Sequence, residues 1–580
     1  MGASVSMHRS RPTFFALMTA GLLLAACSGT AYRNSADNET YAAIAGKSDL
    51  VPGMTEEVEV DEQRVVDLEA FPVNSLSFEF LGDSAESEIN SSVLSLNDAL
   101  DLAFRHSKDY QTRKERLYLE ALSLTLDRYR YAPIFSFNSG GEYQWDMDDE
   151  FVTDMENLTG TGSQTDTPTQ RATASSSEMY QADTSLGVRY LLRGGGSVAL
   201  NLTNNLRRFL SGDVSELSTG ALIGSITQPL LRDFGAAIET EALLQAERDL
   251  LYELRNFTRF RKSFAVQVAS SYYNVLLNRE TTKNNYAGLL ANNLSLERER
   301  AFQAEGLRTL LDVGRLEQAT LQQDLRWTTS IARYQRSLDS FKILIGLNAE
   351  DAIILDDNEM TLITETGMSA PELDLDRALD MSVQTRLDLY TELDRVQDAS
   401  RRIDVAANAL EPSLGVTLSA SAPATGSGEF GDVNFDNAVY AAGLDVEMPL
   451  DSKAERNTYR RALIDYDAAT RAYTLALDNV KLEVIDAWRR MDEAGKGYDI
   501  NLASVEINER RVEEAELRAE LGLGNVQDTV DSQNDLTAAR TDLVRSIVDY
   551  NISKLEFWRD VGLLYVDDSG QWEEGIDEPR

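Results

Sequence analysis

The chain repeats itself at long range. Leu96, Ala99, Leu100 and Pro133 recur as Leu375, Ala378, Leu379 and Pro412, every pair displaced by 279 positions, so two 38-residue blocks align without a gap. Gln228-Pro229-Leu230 returns as Met448-Pro449-Leu450, displaced by 220, and Gly306-Leu307 with Asp312 returns as Gly522-Leu523 with Asp528, displaced by 216. One module written twice restricts the fold to a pseudo-symmetric, interwoven unit rather than a string of unrelated domains. The displacement falls from 279 to 220 between the first two landmarks, so the first copy carries about 60 extra residues between Pro133 and Pro229.

Within each copy the hydrophobic period changes in the same order. Ser95 to Tyr131 has helical spacing: Ser95 and Asn97 suit a cap, Ala99, Leu100, Ala103 and Phe104 share a face, and Pro133 ends it. The second copy runs from Asp374 to Leu410 and stops at Pro412. After each proline the period becomes two. Phe135, Phe137, Tyr143 and Trp145 alternate with Ser136, Asn138, Glu142 and Gln144; Leu414, Val416 and Leu418 alternate with Ser413, Gly415 and Thr417; Tyr440, Ala442, Leu444, Val446 and Met448 alternate with polar or small residues including Asp445 and Glu447. Such segments are strands with one apolar and one polar face. A half-buried sandwich strand and a membrane-barrel strand both fit that pattern.

Asp148 to Gln181, rich in Thr, Ser, Asp and Gln, has the composition of a long exposed loop. Leu186, Val188, Tyr190 and Leu192 precede Gly194-Gly195-Gly196, and Val198, Leu200 and Leu202 follow it, which predicts an extra hairpin and accounts for the added length. The second copy has only Ala424 to Asn437 between its strands.

Each Pro-Leu pair then opens a long helical stretch. Past Gly235, the segment to Glu305 has no proline and one glycine, Gly288. Ala469, Tyr473, Ala476, Val480, Val484, Ala487 and Met491 step by three and four, the spacing of long helices packed side by side. Ser452 to Glu520 as one helix spans roughly 100 Å at 1.5 Å per residue. A conduit across a compartment needs that length; a plain coiled-coil stalk is the other use. Both long helices reach a glycine turn, Gly306-Leu307-Arg308 and Gly522-Leu523-Gly524, and return to about Leu347 and Leu563.

Composition narrows the function. A net charge of -41 repels phosphate, so nucleic acid is not an expected partner. The only histidines are His8 and His106 and the only cysteine is Cys27, which leaves few parts for a triad, a zinc or haem centre or a disulfide. No enzyme, cofactor or metal site is expected. Beyond the N-terminus no apolar run of 18 residues occurs, so no transmembrane helix is expected, a statement that leaves a β-barrel open.

The N-terminus has the form of a secretory signal: His8, Arg9 and Arg11 before an apolar run, Phe14 to Ala26, with Met1 or Met7 as the start. It ends Leu24-Ala25-Ala26-Cys27, which resembles a bacterial lipobox. The resemblance implies a lipoprotein signal peptide over 1–26 and acylation of Cys27 as the mature N-terminus. Ser28, where an aspartate resembles inner-membrane retention, implies outer-membrane sorting. Residues 27–93 are expected as an acidic extended tether with little regular structure, and 567–580 as an acidic tail.

Helix, proline, strand, loop, strand, Pro-Leu, long helix, glycine turn and return helix, carried out twice, resembles the TolC family of outer-membrane efflux proteins, in its lipoprotein branch. The resemblance covers Leu94 to Val566, as repeat 1 over 94–366 and repeat 2 over 367–566. It rests on order and spacing rather than on any single motif. It implies a mixed α and β membrane protein: a homotrimer whose protomers each give four strands to a 12-stranded outer-membrane β-barrel, continuing into a long periplasmic α-helical barrel. The implied partners are a periplasmic adaptor protein, an inner-membrane pump and outer-membrane lipid. The implied work is passive export in a tripartite efflux system; the duct of a type I protein secretion system fits the same residues. A trimeric lipid-anchored surface stalk is the alternative of another class. Gly306, Leu307, Arg308, Gly522 and Leu523 are the implied adaptor-contact tip, and Asp528 and Asp531, with Asp312 of the first copy, the implied channel constriction. Two departures stand out. The Gly194–Gly196 hairpin bears on the strand count, and Gly524 and Ala519 occupy the positions of the Arg and Tyr that lock the closed state in the family.

Overall fold

The computed structural model describes residues 29–54, 58–60, 66, 68–148, 175–209, 216–366, 368–424, 433–521 and 523–574; the signal segment, Cys27, Gly522 and most of the 148–181 loop lie outside the described residues. In chain order the elements are α1 (Gly29–Ser48), β1 (Ser92–Leu94), α2 (Leu96–His106), α3 (Lys108–Tyr129), β2 (Ile134–Asp148), β3 (Ser175–Leu191), β4 (Ser197–Phe209) and β5 (Glu216–Pro229). A one-turn helix, Ala236–Glu239, leads to α4 (Glu241–Ala304), α5 (Leu310–Leu344), β6 (Ile353–Leu355), α6 (Asn358–Thr366), α7 (Leu375–Thr385) and α8 (Leu387–Asn408). Then come β7 (Ser413–Pro423), β8 (Val439–Glu447), α9 (Lys453–Glu520), α10 (Val526–Val561), β9 (Leu564–Val566) and β10 (Trp572–Glu574). The chain divides into a helical unit, residues 1–123, 248–396 and 469–580, and a sheet unit, residues 124–247 and 397–468.

The two blocks that align in sequence fold into helices of the same lengths: α2 and α7 have 11 residues each, α3 and α8 have 22. The single helix expected over Ser95–Tyr131 is corrected to two, as is its counterpart. Ser107 and Arg386 cap the shorter helices in extended backbone, and each donates its N–H four residues back. The break serves packing. A Cβ on Gly346 would lie 2.2 Å from the His106 carbonyl oxygen, so the backbone at the break packs directly against a position that admits no side chain. At the second break Arg386 donates to the Asp388 and Glu483 carboxylates and to the Asp560 carbonyl. Ser95 and Asp98 form a reciprocal capping box ahead of α2, whose Ala99, Leu100 and Ala103 are fully buried.

The segment expected as an extended tether is instead structured in large part. α1 buries Thr40, Ala43 and Ile44, and the Tyr118 hydroxyl donates to Asp37 at 2.6 Å. Further on, Glu88 is buried against Arg279 of α4, at 2.8 Å, and accepts a hydrogen bond from the Tyr334 hydroxyl. The Arg279 guanidinium also lies 4.6 Å from the Phe78 ring centre. A charged residue this deep is held only by such partners, because removing one leaves an uncompensated charge. The polar, acidic composition of the segment hides these few anchors. The acidic tail likewise begins as a hairpin, β9 with β10, Val566 opposite Trp572.

The sheet unit holds one six-stranded antiparallel sheet in the order β2-β3-β4-β5-β7-β8. Where the resemblance implies four strands per chain, this sheet has six. The cause is the glycine hairpin, which enters the sheet as β3 and β4. Its turn is built into the chain around it. Leu192 N–H donates to Gly196 O at 2.7 Å, and Gln228 Nε2 and the Gly235 N–H both donate to Gly194 O. Gly195 has φ +87°, and a Cβ there would lie 2.2 Å from the Asp233 carbonyl oxygen, so no other residue fits without moving that backbone.

The pairing register aligns the two faces across all six strands. Phe137 lies opposite Leu186, Leu186 opposite Leu202, and Leu202 opposite Leu222. Leu222 lies opposite Ala422, and Leu418 of the same strand opposite Ala442. On the other face Asn138, Ser185, Thr203, Ala221 and Pro423 form the matching row. On the apolar face, Phe135, Phe137, Tyr440 and Leu444 are between 66 % and 78 % exposed among the described residues.

Gly195→Val should cost about 1–3 kcal/mol in the sheet unit, from a disfavoured φ and a clash with the Asp233 backbone. Trypsin resistance of the folded protein reads it. Resistance equal to wild type would mean that the turn is not docked on the Pro229–Gly235 link.

Candidate functional site

Three features of the described residues bear on function: two turns that join the long helices, a pair of aspartates after the second, and the uncovered sheet. No group of His, Cys, Asp and Glu among the described residues is placed to hold a metal ion. No helix among them is long and apolar enough to cross a membrane.

The first turn closes α4 with two backbone hydrogen bonds, Gly306 N–H to Gln303 O and Leu307 N–H to Phe302 O, both 2.9 Å. That pattern needs a left-handed residue, and Gly306 has φ +74°. Thr309 then caps α5. Its hydroxyl donates to the Asp312 carboxylate at 2.7 Å, and the Asp312 N–H donates back at 3.2 Å. The Thr309 hydroxyl and the Thr309 backbone N–H, which also donates to the carboxylate at 3.3 Å, hold the Asp312 carboxyl below the usual carboxylate range. Asp312 thus has a local task, holding the turn, which its sequence position alone does not reveal. Arg308 turns back as well, 3.0 Å from the buried Glu299 carboxylate, and is itself mostly covered.

The second turn is built differently. Leu523 N–H donates to Arg518 O, and Asn525 caps α10 through its side chain to the Gln527 N–H. A Cβ on Gly524 would lie 2.7 Å from the Ala519 backbone nitrogen. The two positions that depart from the family lock are therefore in close approach here, and the absence of a side chain at 524 is what lets the chain fold onto the helix end.

Behind the turns Leu296, Val313, Leu316, Ala319, Val526 and Val530 form a buried cluster that ties α4, α5 and α10 together. In front, Leu307 and Leu523 are 70 % and 80 % exposed. Leu310, Leu311 and Leu521 are exposed beside them. These last three were not singled out in the sequence, although leucines flanking a capped turn are a readable signal. Exposed apolar side chains gathered at a helix turn mark a contact surface more often than chance.

Asp528 and Asp531 are both exposed, three residues apart on the side of α10 opposite the buried Val526, Thr529 and Val530. They line a cleft of about 250 Å³ with Arg511, Glu514, Arg518 and Asn525. Gln527 Nε2 donates to Asp531 at 2.9 Å, and Arg511 pairs with Asp535 at 2.8 Å. The structure brings Asp528 and Asp531 together and leaves Asp312 in its own turn. Gly522 and Cys27 lie outside the described residues.

No protein-family model matches the chain. No curated protein sequence matches it either. Solved structures do. The outer-membrane channel OprN superposes with a TM-score of 0.56 at 12% identity, over 87% of this chain and 97% of OprN. VceC of Vibrio cholerae superposes at 0.56 with 15% identity, over 80% and 96%. The CmeC outer membrane channel of Campylobacter jejuni superposes at 0.56 with 14% identity, over 89% and 96%. The likeness covers 80% to 89% of this chain at identities of 12% to 15%, and the chain has the fold of the TolC-type outer-membrane channels.

Proposed function

We propose that this protein is the outer-membrane channel of a tripartite efflux system, a passive duct that works as a homotrimer of two-repeat protomers with a periplasmic adaptor protein and an inner-membrane pump. The observation that carries the reading is the sheet. Its apolar residues share one face, with Phe135, Phe137, Leu186, Tyr440 and Leu444 exposed, while the other face is largely polar or small, the division expected of lipid outside and water inside. The neighbours in fold support it, since they are outer-membrane channels. The duct of a type I secretion system uses the same parts, and a pump gene of either class beside this one separates the two. A surface stalk leaves the amphipathic sheet unexplained.

In this reading Gly306, Leu307, Arg308, Gly522 and Leu523 form the adaptor-facing tip, with the leucines as contacts and Arg308 braced by Glu299. Replacing Leu307 and Leu523 together by Asp should lower export of a toxic substrate at least tenfold while trimer assembly is unchanged. Unaltered export removes the tip from docking.

Asp528 and Asp531 would ring the entrance when three copies assemble, with Asp312 at its edge. A ring of carboxylates favours cations. In planar bilayers the full-length protein should conduct ions with cation preference. Asp528→Asn with Asp531→Asn should abolish that preference and the block by multivalent cations from the tip side. Absence of any conductance by the wild type contradicts the duct; retained preference in the variant contradicts only the ring.

Cys27 is the proposed lipid anchor, and several acyl chains per assembly hold a membrane far more firmly than one. Metabolic palmitate labelling should mark the wild type and be lost in Cys27→Ser; a label that persists refutes acylation at this residue.

A further inference from the structure

The sheet ends in two open edges. Among the described residues β2, 15 residues long, pairs only with β3, and β8, 9 residues long, pairs only with β7. In water such edges are tolerated. In hydrocarbon each unpaired backbone group costs several kcal/mol, so a spanning sheet must close. Six strands do not close on themselves, since the smallest membrane barrels have about eight. The edges therefore need a partner, and the sheet fixes its chemistry: another antiparallel amphipathic strand edge with the same two faces. A second copy of this chain offers one.

The strand count makes that pairing consistent. Strands alternate in direction through β2-β3-β4-β5-β7-β8, so with six per chain β8 runs opposite to β2. β8 of one copy then meets β2 of the next in antiparallel order, and the alternation continues around a ring of any number of copies. The faces match as well: Tyr440, Leu444 and Val446 continue the apolar face that Phe135 and Phe137 begin.

We infer that three copies close an 18-stranded barrel through β8-to-β2 pairing, in place of the 12-stranded ring of the family. The inference rests on the trimeric duct reading and goes beyond it in the size of the pore. The added pair, β3 and β4, belongs to the ring because its glycine turn is fastened to the Gln228–Gly235 segment by the hydrogen bonds described above. With strands about 4.8 Å apart and tilted by about 40°, the backbone radius is roughly 18 Å for 18 strands and roughly 12 Å for 12. The cross-section grows about 2.3-fold on the same geometry. A barrel of that bore sets no size limit for small amphiphiles and leaves room for bulky hydrated cargo.

Electron cryo-microscopy of the full-length protein in lipid nanodiscs counts the strands directly: 18 is expected, and a 12-stranded ring with β3 and β4 folded outside it overturns the inference. A cross-linking scan tests the seam independently. In a Cys27→Ser background, Asn138→Cys on β2 is combined in turn with cysteine at each of positions 439 to 447 on β8. Oxidation should yield covalent species up to three chains at one register; monomers alone at every register overturn the seam. A conducting 12-stranded ring refutes this inference and spares the duct. An 18-stranded ring that conducts nothing in any state does the reverse.

Discussion

A sheet whose backbone edges and apolar face are both left open by its own chain governs everything else in this protein. Side chains such as Phe137, Tyr440 and Leu444 gain by leaving water at about 25 cal/mol per Å². Among the described residues little covers them. Backbone groups along β2 and β8 need partners wherever water is absent. In the proposed duct, lipid answers the first need and further strands the second. Both demands follow from a period of two maintained through six strands in one register, so a one-residue slip in any of them would send its apolar residues to the polar side.

The helices show how one design is realised twice with different local chemistry. Each long helix must reverse without fraying. The first reversal uses a left-handed glycine, Gly306, followed by the reciprocal Thr309 and Asp312 cap. The second relies on Gly524 for proximity to Ala519 and on Asn525 as a simpler cap. The two turns are built differently: Asp312 closes a capping box, whereas Asp528, aligned with it in sequence, faces a cleft.

Much of the fold was legible because long helices and alternating strands are the strongest periodic signals a sequence carries. The expected helices Gly235–Glu305 and Ser452–Glu520 correspond to Glu241–Ala304 and Lys453–Glu520. What escaped was decided by contacts between distant residues. The break at Ser107 answers to Gly346, more than two hundred positions away. The folding of 29–92 depends on single anchors such as Glu88 with Arg279, which composition averages away. The strand count turned on whether a glycine hairpin enters the sheet, and that is settled by hydrogen bonds from Gln228 and Gly235 rather than by pattern. Of the site residues, the turns were readable from their glycines, whereas Asp528 and Asp531 were pointed to only by the family resemblance. The capping role of Asp312 and the ion pair of Arg308 required coordinates.

The central claim, that the two faces of the sheet meet lipid and water, is tested most directly by a spin-label scan along β8 in reconstituted membranes. Labels at 440, 442, 444 and 446 should collide readily with oxygen dissolved in lipid. Labels at 441, 443 and 445 should collide with a water-soluble relaxation agent. The account predicts strict alternation along the strand. Equal access of every position to the aqueous agent would mean that the sheet does not sit in a bilayer, and the duct would fall with it.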